Sequence, residues 1–326
     1  LVDIGSELEP VAKAMSDFIT QGGKSFRPIF AYFGYLGCGA EAREEILRAC
    51  TSLELVHVCA LIHDDVMDGS DTRRNKPAIH KAFQQYHQDS SYKGSSERFG
   101  SSSAILMGDL ALVWADRLLV ESGISGDEFL QVQSVFADMR DELMAGQYLD
   151  VLEGALATTS IDRSLKVARY KSGKYSIERP LHFGAALSGN KELMGAYSSF
   201  GLPLGEAFQL RDDLLGVFGD PEVTGKPAGD DLREGKRTVL IALTMQAVGK
   251  AERELLTASL GDEGLEKTQI LKLQEIISSS GAVAQVEKLI TELRDRAISA
   301  LRDSQVETSI LSVLEEMATI ATQRSL

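Results

Sequence analysis

The sequence has 326 residues, 44% of them hydrophobic, which is enough apolar material for one large helical domain or two ordinary ones. Lysine plus arginine is 34 against 48 for aspartate plus glutamate, a formal charge of −14, and so acidic a chain lacks the basic footprint that nucleic-acid binding needs. The same balance opposes any phosphate-bearing ligand unless divalent cations reverse the local field. No run of about 18 uninterrupted apolar residues and no signal peptide is visible. The expectation is therefore a cytoplasmic protein with no integral membrane contact. Leu1 stands where a start methionine would be, so the numbering is expected to begin inside a longer chain. Cys38, Cys50 and Cys59 are odd in number, lack metal-ligand spacing and lie in or beside apolar sequence; they read as reduced, mostly buried thiols.

Turn residues are sparse and apolar residues recur at spacings of 3, 4 and 7 almost throughout, which predicts an all-α fold in one large bundle domain over 1–326. The spacing predicts helices over 6–20, closed by QGG at 21–23, and over 28–36, with Pro28 in the favoured first turn. A helix over 42–68 ends in the acidic run DDVMD. Residues 84–103, polar and rich in serine, read as a surface insertion or lid. Helices follow over 101–122, 126–152 and 162–188, the last with a kink or break at Pro180. The helix over 191–218 carries a second acidic pair, and 219–237 is a Gly- and Pro-rich loop of both charge signs. Helices over 238–248, 251–259, 264–279, 282–302 and 305–323 complete the chain.

Asp64 and Asp68 stand four residues apart, which places both carboxylates on one helix face, and His57 lies two turns earlier on nearly the same face. Alone, such a run is also compatible with a solvated helix end. Behind an apolar stretch and before Arg73 and Arg74 it points to metal and phosphate chemistry. Adjacent arginines diverge on any regular backbone, so Arg73 and Arg74 can serve two different anions. In FQLRDDLLG, Phe208, Leu210 and Leu214 mark a partly buried segment interrupted by Gln209, Asp212 and Asp213. Burying Asp212 without a cation is costly; a surface helix with Arg211 paired to a neighbour is the other reading. Lys24, Lys171 and Lys226 each border small residues that let a ligand approach, although surface lysines read the same way. Arg27 strengthens Lys24, whereas Lys236 and Arg237 are weaker candidates. Gln147 and Asp150, three apart, support a site or form an ordinary polar helix face. The five histidines form no helical zinc pair, and no nucleophile elbow, P-loop or dinucleotide fingerprint occurs.

Taken in order, GGKSFRP at 22–28, LIHDDVMDGSDTRRNKPAIH at 61–80, GQYLD at 146–150, Lys171–Ser172, FQLRDD at 208–213 and GKPAGDDLREGKRT at 225–238 span nearly the whole chain. This series resembles the trans-isoprenyl diphosphate synthases, the polyprenyl synthetase family. The wording around the first acidic run is most like geranylgeranyl diphosphate synthases of actinobacterial type. The resemblance implies an isoprenoid-synthase helical bundle with a central cavity between the two aspartate-bearing helices. It implies condensation of isopentenyl diphosphate with dimethylallyl, geranyl or farnesyl diphosphate, and a homodimer. Asp64, Asp68 and Asp212 would hold three Mg²⁺ ions per active site. Arg73, Lys171, Ser172, Gln209, Lys226 and Lys236 would bind the allylic diphosphate, and Lys24, Arg27, His57 and Arg74 that of isopentenyl diphosphate. Gln209, Ser172 and Gln147 would line the developing cation, with Lys171 and Gln209 counted among the catalytic residues. The loop 219–237 and the C-terminal tail would close the site.

One departure stands out: the fifth position of the family's second aspartate motif, commonly aspartate, is here Gly216. This leaves the parts played by Asp213, Asp230 and Asp231 open. Cys59 and Ala60, five and four positions before the first aspartate, are small, which in this family allows products beyond fifteen carbons. Trp114, Leu110 or Val56 then becomes the candidate floor for a twenty-carbon product, with core packing the other reading of Trp114. Farnesyl or longer products are the alternative. A class I terpene cyclase would not need Lys24, Arg27 and His57 for a second diphosphate, a non-catalytic regulatory subunit is expected to lose an aspartate cluster, and a di-iron bundle needs two Glu-x-x-His pairs, which the chain does not have.

Overall fold

The computed structural model of the chain describes residues 1–221 and 228–323. After a 3₁₀ turn at Ser6–Leu8 come α1 (Glu9–Thr20), α2 (Phe26–Leu36), α3 (Glu44–Met67), α4 (Ile79–Asp89), α5 (Ser96–Val120), α6 (Gly126–Leu156) and α7 (Ile161–Val167). A π-helical stretch, Ala168–Glu178, leads into α8 (Arg179–Ser188) and then α9 (Met194–Phe218). A short turn of helix at Asp230–Glu234 precedes helices Val239–Ala247, Lys250–Ser259, Lys267–Ser279, Ala282–Arg302 and Thr308–Thr322. The all-α expectation holds. Among the described residues, the strands are Thr72–Arg73 and Lys76–Pro77, paired antiparallel.

Local sequence explains most of the boundaries. Ser125 and Glu128 form a reciprocal capping box that starts the 31-residue α6. Ser95, Ser160 and Thr238 each accept a backbone N–H at a helix start. The polar stretch 84–103, read as a surface insertion or lid, forms the end of α4, a turn and the start of α5. His87, Tyr92 and Phe99 draw together there, with the His87 and Phe99 rings 5.2 Å apart, and that aromatic contact ties the two helices. At Pro180 the helix does not break. Proline cannot donate an N–H, and the wider π register of Ala168–Glu178 gives way to ordinary α register at Arg179, so the missing donor falls in the first turn of α8.

The chain forms two compact units, Leu1–Ile29 with Arg43–Ile124, and Phe30–Ala42 with Ser125–Leu326. In the first, α3 and α4 both pack on α5 around Met15, Phe18, Val58, Cys59, Ile62, Phe83 and Met107. By length and mean hydropathy α3 passes as long and apolar enough to cross a membrane, although polar residues such as Arg48 and Glu54 interrupt it, as expected of a chain without an uninterrupted apolar run. Half of its apolar window is nonetheless buried inside the fold.

In the second unit α9 is central. Its Ala207, Leu210, Leu214 and Val217 face a core completed by Leu240, Ile277, Val286 and Ile290. The π stretch lies between α6 and α9 at backbone contact distance. A Cβ on Gly146 would come 2.3 Å from the Lys171 nitrogen, and one on Gly205 2.5 Å from the Gly173 Cα. Glycine is required at both crossings because no side chain fits.

Candidate active site

The first unit carries a cluster of cations at the end of α3. Asp64 and Asp65 lie in its last turn and Asp68 caps it, donating its N–H to the Asp64 carbonyl at 2.8 Å. The C-terminal end of a helix is the negative end of its dipole, so three carboxylates there require positive charge nearby. Part of it comes from Arg73, whose Nε and Nη2 donate to Oδ1 of the buried Asp65 at 2.9 and 2.5 Å and whose Nη2 lies 3.5 Å from Asp64 Oδ2.

Arg73 reaches Asp65 because the chain reverses just beyond it. Arg74 (φ 53°) and Asn75 (φ 61°) are the central residues of a two-residue hairpin between Thr72–Arg73 and Lys76–Pro77, and two successive positive φ values fit a type I′ turn. The left-handed conformation is uncommon for arginine and costs on the order of 1–3 kcal/mol. It sends Arg74 the other way, as adjacency predicts. Its guanidinium lies 5.7 Å from the Phe18 ring centroid and its Nη1 donates to the Phe18 carbonyl. A Cβ on Gly23 would stand 3.0 Å from Arg74 Nη2, so the glycine pair of GGKS leaves room for the guanidinium.

The charges of Arg27, Arg74 and Arg73 all act on His57. Burial, followed by these three charges and opposed by Asp64, holds its pKa well below 6.5, so the imidazole is neutral. Arg73 is held by Asp65 and Asp64, and a neutral imidazole beside the Arg27 and Arg74 guanidiniums can take an anion. Lys24 is exposed, 6.0 Å from the Phe26 ring centroid. Lys24, Arg27, His57, Arg73 and Arg74 thus belong to one unit with Asp64 and Asp68. Cys59 has no exposed surface and its Sγ lies 3.7 Å from His63 Nδ1, whereas Ala60 is half-buried. Trp114, also half-buried, packs against the same core cluster as Cys59.

The second unit carries a matching acidic group. Asp150 on α6 accepts from Lys171 Nζ at 2.6 Å and Lys236 Nζ at 3.2 Å. The tight crossing at Gly146 sets this up, because it lays the π stretch carrying Lys171 and Ser172 on the helix that bears Gln147 and Asp150. On α9, Gln209 Nε2 donates to Asp213 Oδ1 at 2.7 Å. Burial, with Asp212 and Asp150 nearby and against Gln209 and Lys236, pushes the Asp213 carboxyl up to about 7. Burial is the largest cause and the neighbouring Asp212 and Asp150 add to it, so these carboxyls form a donor set that a divalent cation would relieve. Among the described residues no three His, Cys, Asp or Glu side chains converge as a ready-made metal cage. Mg²⁺ does not need one, because it keeps waters and phosphate oxygens and takes one or two carboxylates from the protein. Lys226 lies outside the described residues, as do 222–227 of the closing loop and 324–326 of the tail.

Several supporting residues have no local sequence signal. Glu142 on α6 accepts from Lys174 Nζ at 2.5 Å and from Arg179 Nε and Nη2 at 2.7 Å, fastening both ends of the π-to-α transition. Arg211, read as a candidate surface residue, is buried. Its Nη1 and Nη2 donate to Glu287 at 2.6 Å and its Nε to the Thr322 carbonyl at 2.8 Å. Glu287 is 76 residues from Arg211, beyond any spacing rule.

The polyprenyl synthetase family model matches residues 9–277. The chain is 28% identical over 325 residues to a geranylgeranyl diphosphate synthase of Saccharolobus solfataricus, covering 98% of this chain and 92% of that one. It is 32% identical over 275 residues to a geranylfarnesyl diphosphate synthase of Aeropyrum pernix, covering 82% and 80%. A crystal structure of geranylgeranyl pyrophosphate synthase from Corynebacterium glutamicum, complexed with isoprenyl diphosphate and magnesium, superposes with a TM-score of 0.96 at 39% identity, over 99% of this chain and 93% of that one. The ordered motifs, the helical fold and these matches agree: the chain belongs to the polyprenyl synthetase family.

Proposed function

We propose that the protein is a trans-prenyltransferase that joins isopentenyl diphosphate head-to-tail to dimethylallyl, geranyl or farnesyl diphosphate, giving mainly all-trans geranylgeranyl diphosphate and free diphosphate. The observation that carries this reading is the Arg27–His57–Arg74 cluster beside the Asp64–Asp68 helix end. A cyclase acting on a single diphosphate has no use for that second anion site.

In this reading Lys24, Arg27, His57 and Arg74 hold the diphosphate of isopentenyl diphosphate. Arg73, Lys171, Lys236 and Lys226 hold the allylic diphosphate and take up the negative charge that develops as its C–O bond ionises. Mg²⁺, three ions per centre on Asp64, Asp68 and Asp212, would add Lewis-acid neutralisation of the leaving diphosphate. Gln209 anchors its amide nitrogen on Asp213, so its carbonyl oxygen is the end left to face positive charge. Ser172 and Gln147 line the same space and keep water from the cation. The isopentenyl double bond attacks the allylic carbon, and the proton then lost passes to the departing diphosphate. Small Ala60 admits a long chain, and Trp114, packed on the apolar core of the first unit, limits it to about twenty carbons. The enzyme is expected to be cytoplasmic, in keeping with its three free cysteines; burial pushes the Cys59 thiol up to about 11.

The test is incubation with isopentenyl diphosphate, each allylic diphosphate and Mg²⁺, followed by chromatography of the products. Asp64→Ala should lower turnover about 10²–10³-fold or more, the scale of losing one charge-stabilising group, and Trp114→Ala should lengthen the product. A near-normal rate in the first variant would overturn the assignment, and unchanged chain length in the second would remove Trp114 from it.

A further inference from the structure

The anion site of the first unit contains a carboxylate that the proposed mechanism does not use. Glu54 on α3 precedes His57 by three residues, so the two share a helix face. The point where a Cβ on Gly23 would stand is 3.0 Å from Arg74 Nη2, 3.7 Å from Arg74 Cζ and 3.8 Å from Glu54 Oε1. Glu54 and Arg74 therefore line the same small space over this glycine, and all three residues belong to one unit. Oε2 of Glu54 is buried and, among the described residues, accepts no hydrogen bond. A buried carboxylate oxygen without a donor is costly, so positive charge must compensate it. Burial lowers the Arg74 pKa, and of the charges on Arg74 that of Glu54 acts most strongly, against the like charges of Arg73 and Arg27.

We propose that Glu54 is a positioning residue for isopentenyl diphosphate, holding the Arg74 guanidinium where the diphosphate is received without touching the substrate itself. A guanidinium has five N–H donors in a rigid fork, so one edge can be held while another stays open to a ligand. Arg74 Nη1 donates to the Phe18 carbonyl at 3.4 Å, while Glu54 stands on the side of Nη2. The guanidinium is thereby fixed from two directions. By charge alone a carboxylate beside an anion site opposes binding; it aids binding only if the order it gives Arg74 outweighs that repulsion. The inference rests on the prenyltransferase reading and deepens it, adding a group that the diphosphate does not contact.

The experiment is steady-state kinetics with each substrate varied in turn, on the full chain. The variants are Glu54→Gln, Glu54→Ala, Arg74→Ala and the double variant Glu54→Gln/Arg74→Ala. Both Glu54 variants should raise the KM for isopentenyl diphosphate about tenfold, the scale of a hydrogen bond to a charged group, with kcat and the allylic KM within about twofold of wild type. The double variant should be no weaker than Arg74→Ala alone, because Glu54 then has nothing to hold. An isopentenyl diphosphate KM that stays within about twofold of wild type, or falls, in either Glu54 variant would overturn the proposal. So would kcat and both KM values moving together, as for a residue that only supports the fold, or Glu54 and Arg74 effects that multiply in the double variant. An unchanged isopentenyl diphosphate KM in Arg74→Ala would overturn the assignment of the anion site itself, and this proposal with it.

Discussion

Arg73 and Arg74 are neighbours in sequence with opposite surroundings. Arg73 is committed to Asp65 and Asp64, while Arg74, in a left-handed conformation, lies over Phe18 among Arg27 and His57. Arg74→Ala removes one cation from the set assigned to isopentenyl diphosphate and also relieves the backbone strain. It should raise the KM for isopentenyl diphosphate about tenfold or more, the scale of a charge-assisted hydrogen bond, and leave the KM for the allylic substrate nearly unchanged. Steady-state kinetics with each substrate varied in turn decides this, and a selective rise for the allylic substrate would show that the two arginine roles are exchanged. At this scale the divergence of the arginines and the shared face of Asp64 and Asp68 were legible, because both follow from backbone geometry over a few residues. The fixing of Asp65 by Arg73 was not, because DDVMD does not say which carboxylate turns inward.

Among the elements, the π stretch Ala168–Glu178 is the least expected and the most consequential. It carries Lys171 and Ser172, and its far end is fastened by Glu142 to Lys174 and Arg179. Burial raises the Glu142 pKa, but hydrogen bonds from Arg179 and Lys174 outweigh it and hold the carboxyl below its ordinary value. With the folded-state pKa below the unfolded value of 4.5, the stabilisation is complete above about pH 5 and is lost as pH falls through the folded pKa. Glu142→Gln should therefore destabilise the protein by about 3 kcal/mol at pH 7, the scale of stranding buried charges, and much less in strong acid. Urea denaturation at the two pH values measures the difference, and an equal loss at both would refute the charge argument. Pro180 announced an irregularity to the reader of the sequence. It could not announce a change of helical register, which depends on Gly146 and Gly205 bringing α6 and α9 to backbone contact on either side.

At the scale of the whole molecule, two apolar stripes are exposed. On α5, Leu106, Val113 and Val120 recur every seven residues and are 67%, 61% and 65% exposed; on α6, Met144, Tyr148 and Val151 are also exposed. Stripes of this kind are rarely left in water, and a second copy of the chain is the partner the family resemblance implies. Leu106→Glu/Val113→Glu should shift the protein from dimer to monomer in analytical ultracentrifugation, and a wild-type monomer at micromolar concentration would refute the homodimer. The charge of −14 belongs to this scale too, since it would be compatible with polyanionic substrates if the acids, as proposed, hold metal.

The sequence by itself determined the helical class, the two acidic faces and the identities of most candidate ligands, because helical period and residue chemistry are local properties. Only the tertiary structure decided that Arg211 reaches Glu287 and Thr322, that Glu142 secures the π register, and that Asp231 occupies the space beside Gly216. Spacing fixes which face of a helix a residue occupies. Which distant side chain fills the volume beside that face depends on how the helices pack, and no local pattern encodes it.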